Sequence, residues 1–208
     1  MINAVLPKPL KGFEHVNRYW DKRLDVAAAK ILPGEFYVST QGEMIATVLG
    51  SCISACIRDR VIGIGGMNHF MLPASNNHSS WSVNDINEST RYGNWAMEYL
   101  INAILKAGGK KENLEVKLFG GGQVLTNMTN IGARNIEFAV RYLEQEGLSV
   151  VAQDVGGNYP RKVLYFPDTG SVKMRKIKKQ HNNTVEKREE VYRKTINQQP
   201  SGGDVELF

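Results

Sequence analysis

Long hydrophobic runs are missing from this 208-residue chain. No stretch approaches the ~18 apolar residues that a membrane span needs. The first twelve residues lack the apolar segment of a secretory signal, so a cytoplasmic protein is expected. Cysteine is scarce: there are two, Cys52 and Cys56. Both lie in the stretch VLGSCISACI (48–57), whose apolar and β-branched content reads as strand. Positions four apart on a strand are ~13 Å from each other, beyond the ~7 Å that a disulfide spans. Two reduced thiols in a reducing compartment are expected. Glycine (20) and proline (7) stay near ordinary usage, which excludes a collagen-like chain and wholesale disorder. No internal repeat is present. A chain of this length buries roughly 70% of its unfolded surface and needs no covalent staple to fold.

The formal net charge of +5 is local. Residues 161–194 hold 11 Lys/Arg against 4 Asp/Glu, and the remainder holds 15 against 17. The excess is one C-terminal segment, a solvated face or a patch for an acidic partner, so nucleic-acid binding is not expected.

The periodicity predicts an α+β chain of about eight strands and two main helices. Residues 1–30 form a lead-in with room for one short helix around Trp20 and Ala27–Ala29. Strands are expected at Phe36–Thr40, Met44–Leu49, Cys52–Arg58 and Ile62–Met71, at a spacing that suggests a meander. The polar, aperiodic stretch 74–90 reads as a long loop. A helix follows over Thr90–Lys106, with Tyr92, Ala96, Tyr99, Ala103 and Ile104 on one face. Leu114–Phe119 is a half-buried strand ending in the glycine turn Gly120-Gly121-Gly122. A second helix spans Ala133–Glu146, with Ile136, Val140 and Leu143 inward. A strand at Leu148–Val155 and a hairpin, Lys162–Phe166 and Ser171–Ile177, complete the domain. Residues 181–208 are polar and expected to be mostly disordered, with room for a short charged helix near 184–194.

Chemistry concentrates in Thr47-Val-Leu-Gly-Ser-Cys52 and Gly65-Gly-Met-Asn-His69-Phe-Met-Leu-Pro73. A thiolate is the strongest common protein nucleophile, and a neighbouring imidazole can take the thiol proton. If the two strands pair about a turn near Asp59–Val61, Cys52 and His69 face each other to within a residue. Gly50 and Ser51, just before the thiol, can turn their backbone N–H groups toward an oxyanion. Thr47 can orient His69 through its hydroxyl. A buried structural cysteine and a core histidine would produce the same spacing. Zinc fits poorly: after Cys52, Cys56 and His69 the next histidine, His78, is too far along for a finger. Gly120-Gly121-Gly122 lacks the ending of a phosphate-binding loop and reads as a structural turn or the lining of a substrate groove. His15, His78 and His181 lie in polar stretches and read as surface residues.

These blocks resemble the chemoreceptor glutamine deamidase family, CheD. The similarity lies in TVLGSC (47–52), CISACIRD (52–59), GIGGMNHFMLP (63–73), RYGNWAMEYL (91–100), KLFGGGQV (117–124) and VGGNYPRKVLYFPDTG (155–170). It covers about 35–178 and implies a single-domain α/β sandwich, mainly antiparallel, with a deamidase domain at 31–180. Residues 1–30 would then be an N-terminal extension and 181–208 a tail. The resemblance implies conversion of particular Gln side chains on the cytoplasmic helices of methyl-accepting chemotaxis receptors to Glu. It maps a Cys–His–Thr triad onto Cys52, His69 and Thr47. Some members carry the threonine one residue further from the cysteine, where this chain has Ala46, so the third member stays open. A chemotaxis phosphatase of the CheC type is an implied partner. No cofactor, metal or membrane insertion is expected. The alternatives are a non-catalytic module that binds receptors or a phosphatase, and a cysteine amidase acting on small amides.

Overall fold

The computed structural model describes residues 5–73, 83–124, 130–177 and 183–196. Two five-stranded mixed sheets share one apolar core. The first sheet has the order β1 (Asn17–Asp21), β2 (Val26–Lys30), β4 (Met44–Leu49), β9 (Arg161–Phe166), β10 (Ser171–Lys176). The second has the order β3 (Phe36–Ser39), β6 (Gly65–Asn68), β5 (Ile53–Asp59), β7 (Leu114–Gly120), β8 (Val150–Val155). Neighbours are antiparallel except β2 with β4 and β7 with β8. Helices α1 (Val83–Lys106) and α2 (Ile131–Gln145) cover the second sheet, and a third helix, α3, spans Asn183–Ile196. The α+β sandwich expected from the sequence is therefore the fold observed.

Burial explains the central strands. β4 is a nearly continuous apolar run, and six of the seven β5 residues from Ile53 to Asp59 are buried, as strands covered on both faces require. β9 and β10 form the expected hairpin around Pro167–Gly170.

Several expectations change. Residues 17–30 form β1 and β2 rather than a short helix; Ala28 and Ala29 are fully buried, small enough to pack flat against the core. The strands between 36 and 71 do not form a meander. β4 leaves for the first sheet while β3, β6 and β5 pair in the second, because both faces of β4 are apolar and need cover. Helix α1 starts at Val83, inside the stretch read as loop; residues 74–82 lie outside the described residues. Its inward face is Ala96, Met97, Leu100, Ile101 and Ile104, whereas Tyr99 is 38% exposed and stacks on Trp95. On α2, Asn135, Ala139, Tyr142 and Leu143 are buried, while Ile136 and Val140 flank the core. The charged helix foreseen near 184–194 is present as α3, and it packs on the domain, with Ile196 in the core.

Candidate active site

Cys52 stands just before β5 and His69 just after β6. An isolated bridge between Ile53 and Phe70 joins these two ends, with N–H···O bonds of 2.9 and 3.0 Å in the two directions. The strands pair antiparallel as expected, but Cys56 faces Met67. This register is displaced by two residues from one that sets Cys52 opposite His69, because the turn after Asp59 runs on to Ile64. Its Gly63 N–H and the Ile64 carbonyl both bond back to Asp59, at 3.0 and 2.8 Å. Cys52 and His69 consequently meet diagonally across the bridge. The Cys52 thiol, a His69 ring nitrogen and a Glu189 carboxylate oxygen lie within 4.8 Å of one another.

His69 is held from both sides. Its N–H donates to Glu35 O (2.9 Å) and its carbonyl accepts from Gly34 N–H (2.7 Å). Nδ1 lies 2.8 Å from Thr47 Oγ1, on the neighbouring sheet. The Thr47 hydroxyl has one proton, and Ile31 O lies 2.9 Å away to accept it. The threonine oxygen therefore accepts from His69 Nδ1–H, which leaves Nε2 as the basic lone pair. Nε2 is buried and has no hydrogen-bond partner among the described residues. Between positions 46 and 47, which the sequence left open, it is Thr47 that contacts the imidazole.

The loop before Cys52 is shaped from behind. Gly122 N–H donates to Gly50 O and Gly121 N–H to Cys52 O, both at 2.7 Å. The Asn135 side chain donates to Ser51 O (2.8 Å) and accepts from Leu72 N–H (2.9 Å). With these three carbonyls tied back, the N–H groups of Gly50, Ser51 and Cys52 point the other way. Glycine is required at 120, where φ is +115° and a Cβ would come within 2.2 Å of Cys52 O. Gly120–Gly122, read as candidates for a substrate groove, are buried behind the loop.

The three N–H groups converge on the Glu189 carboxylate of α3. Oε1 accepts from Gly50 (2.8 Å) and Cys52 (3.2 Å); Oε2 accepts from Ser51 N–H (2.8 Å) and Ser51 Oγ (2.6 Å). Successive backbone N–H groups aimed at one point make an anion-binding nest. Such a ring of donors opposes a cation, so the Cys52–His69–Glu189 cluster fits an oxyanion better than a metal. Burial pushes the Cys52 thiol well above its ordinary pKa, and Glu189 adds to the effect. Burial pushes His69 down to about 3. With α3 seated, thiol and imidazole are both neutral. Cys56 sits within β5 and is raised by burial alone, with Lys117 opposing.

Residues 71–176 match the family described as CheD chemotactic sensory transduction. A probable chemoreceptor glutamine deamidase CheD of Halorhodospira halophila is 55% identical over 206 residues, covering 99% of this chain and 95% of that protein. The corresponding protein of Saccharophagus degradans is 52% identical (99% and 96% covered), and that of Methylobacillus flagellatus 51% (98% and 100%). The chain belongs to the CheD family.

Two residues of this CheD-family site escaped the sequence reading. Asn135 carried a weak signal, a polar residue on the apolar stripe of α2. Glu189 carried none: a glutamate among Lys, Arg and Glu on a polar helix reads as solvated, yet it is 1% exposed.

Proposed function

We propose that this protein is a cysteine-dependent protein-glutamine deamidase acting on cytoplasmic helices of chemotaxis receptors. The observation that carries the reading is one geometry. A thiol lies beside an imidazole whose tautomer is set by Thr47, at the end of a loop that aims three N–H groups at one point. His69 Nε2 takes the Cys52 proton, and Sγ attacks the carboxamide carbon of a Gln side chain. The oxyanion forms where Gly50 and Cys52 N–H donate. The imidazolium returns its proton to the nitrogen, and ammonia leaves a thioester. Water, deprotonated by Nε2, adds to that thioester; the C–S bond breaks, the thiol recovers its proton and Glu remains. The names of the relatives supply the substrate class. No helix among the described residues is long and apolar enough to cross a membrane, in keeping with an enzyme that works on the cytoplasmic side. A phosphatase of the CheC type is the further partner that the family resemblance implies.

The test is mass spectrometry of purified receptor fragments for the mass gain of an amide-to-acid change. Cys52→Ala should abolish it and Cys56→Ala should retain most of it. His69→Ala should be nearly as inactive as the Cys52/His69 double variant, since members of one catalytic unit are not additive. Thr47→Val, which keeps shape and loses the hydroxyl, should fall between wild type and His69→Ala. Receptor binding with no conversion by the wild-type protein would select the non-catalytic module instead.

A further inference from the structure

The carboxylate seated in the loop is the chemical form of the product. Glu189 is a Glu side chain on a helix, held by the donors that the deamidase reading assigns to the oxyanion. Val185, Arg188, Tyr192 and Ile196 of α3 line or fill the same region. Val185, Arg188 and Glu189 close a small pocket whose opposite wall is Ile31, Pro33, Thr47 and His69. Tyr192, three residues on and so on the same helix face, lays its ring over Gly34, where a Cβ would meet it at 2.8 Å. The Tyr192 hydroxyl bonds to that of Tyr92 on α1. Ile196, one turn further, is 6% exposed. On the face Val185–Glu189–Tyr192–Ile196, Glu189 and Ile196 are buried and Val185 and Tyr192 half-buried, whereas the same helix carries Lys187, Glu190 and Lys194 on its exposed side.

We propose that the surface around Cys52 is a helix-docking groove, and that α3 is its internal occupant: Glu189 sits as a product mimic, so a receptor helix must displace α3 before Cys52 can react. The proposal rests on the deamidase reading and adds to it the way the substrate lies. The target Gln projects from a helix laid as α3 lies, its carboxamide oxygen between Gly50 and Cys52 N–H. A bulky side chain three residues after the Gln fills the place of Tyr192. The His69 Nε2 lone pair, buried and unpartnered among the described residues, is the group that the seated helix leaves idle. An intramolecular occupant lowers apparent substrate affinity by the fraction of molecules in the open state.

The experiment uses full-length protein with Glu189→Ala, Glu189→Gln and Tyr192→Ala. Glu189→Gln keeps the size but turns one acceptor into a donor facing Ser51, so it loosens α3 with least risk to folding. The first readout is the rate of iodoacetamide modification at Cys52, mapped by peptide mass, with buried Cys56 as internal reference. Loss of charge-assisted hydrogen bonds to a buried carboxylate should speed Cys52 modification roughly tenfold or more, with Cys56 unchanged. The second readout is kinetics on a receptor fragment: KM should fall by a similar factor and kcat should hold. Cys52 rates unchanged in all three variants, or Cys56 rates rising with them, would overturn the proposal. So would KM held constant while kcat drops, the mark of a merely structural helix. Faster Cys52 modification in proteins that never convert receptor would sink the deamidase reading and the product-mimic role with it, since alkylation needs no enzymatic activity.

Discussion

His69 owes its chemistry to a hydroxyl it does not contain. Thr47 spends its single proton on Ile31 O and so forces Nδ1 to be the protonated nitrogen. Motif spacing located both residues but could not assign the proton, which depends on a main-chain carbonyl sixteen residues before Thr47. Burial has a second consequence. The folded chain holds His69 near a pKa of about 3, against ~6.5 in an unfolded chain. Between those values the unfolded state takes up the proton and the folded state does not. The stability carried by the neutral imidazole is therefore complete above pH ~6.5 and is lost as pH falls toward 3, by at most about 1.4 kcal/mol per pH unit. Urea midpoints measured from pH 7 to pH 4 should fall more steeply for wild type than for His69→Gln. Parallel profiles would contradict the assignment.

Among the elements, those with strong local pattern were legible. β4 was read at its observed bounds, Met44–Leu49, and β7 and α2 within two residues, because apolar runs and helical periodicity are local properties. The register of β5 and β6 was not, since it depends on how far the turn after Asp59 extends. That turn is stabilised by Asp59, whose carboxylate accepts from Val61, Ile62 and Lys110 N–H and from Asn113 Nδ2. α2 contributes its own positioning device. Asn135 is fully buried and bridges Ser51 O and Leu72 N–H. Asn135→Leu keeps the volume and orphans both groups, at about 1–3 kcal/mol each. Its urea midpoint should drop, and kcat should fall because the Ser51–Cys52 peptide is no longer anchored. An unchanged midpoint would show that the bridge is dispensable.

Across the whole molecule, the basic excess gains a location. Strand β10 carries Lys173, Arg175 and Lys176, all exposed; Lys178 and Lys179 lie outside the described residues. Lys176 pairs with Arg161, which pairs with Leu49. The basic end of β10 thus lies two strand spacings, ~10 Å, from the residue preceding Gly50. If an acidic receptor helix docks in the proposed groove, charge so placed would change encounter more than chemistry, and salt would screen it over ~8 Å. The double substitution Arg175→Gln/Lys176→Gln should lower kcat/KM on receptor fragments at low salt and matter little at high salt. Equal kinetics across a salt series would make this edge a solvated one only.

The sequence by itself determined the reactive groups and their local setting. A thiol after a glycine turn, a histidine at the end of the next apolar strand and a threonine on β4 are written within 23 consecutive residues, and strand and helix propensities act over that range. Tertiary structure alone decided how those groups are used. Which nitrogen of His69 is basic, how Cys52 and His69 meet across a displaced register, and which way the loop N–H groups point all depend on partners far along the chain. The extreme case is Glu189, 137 residues from the Cys52 N–H it accepts from. Nothing in the periodicity of a charged helix marks the one carboxylate that leaves water. That choice is made only when Tyr192 and Ile196 dock α3 and bring a ring of backbone donors to meet it.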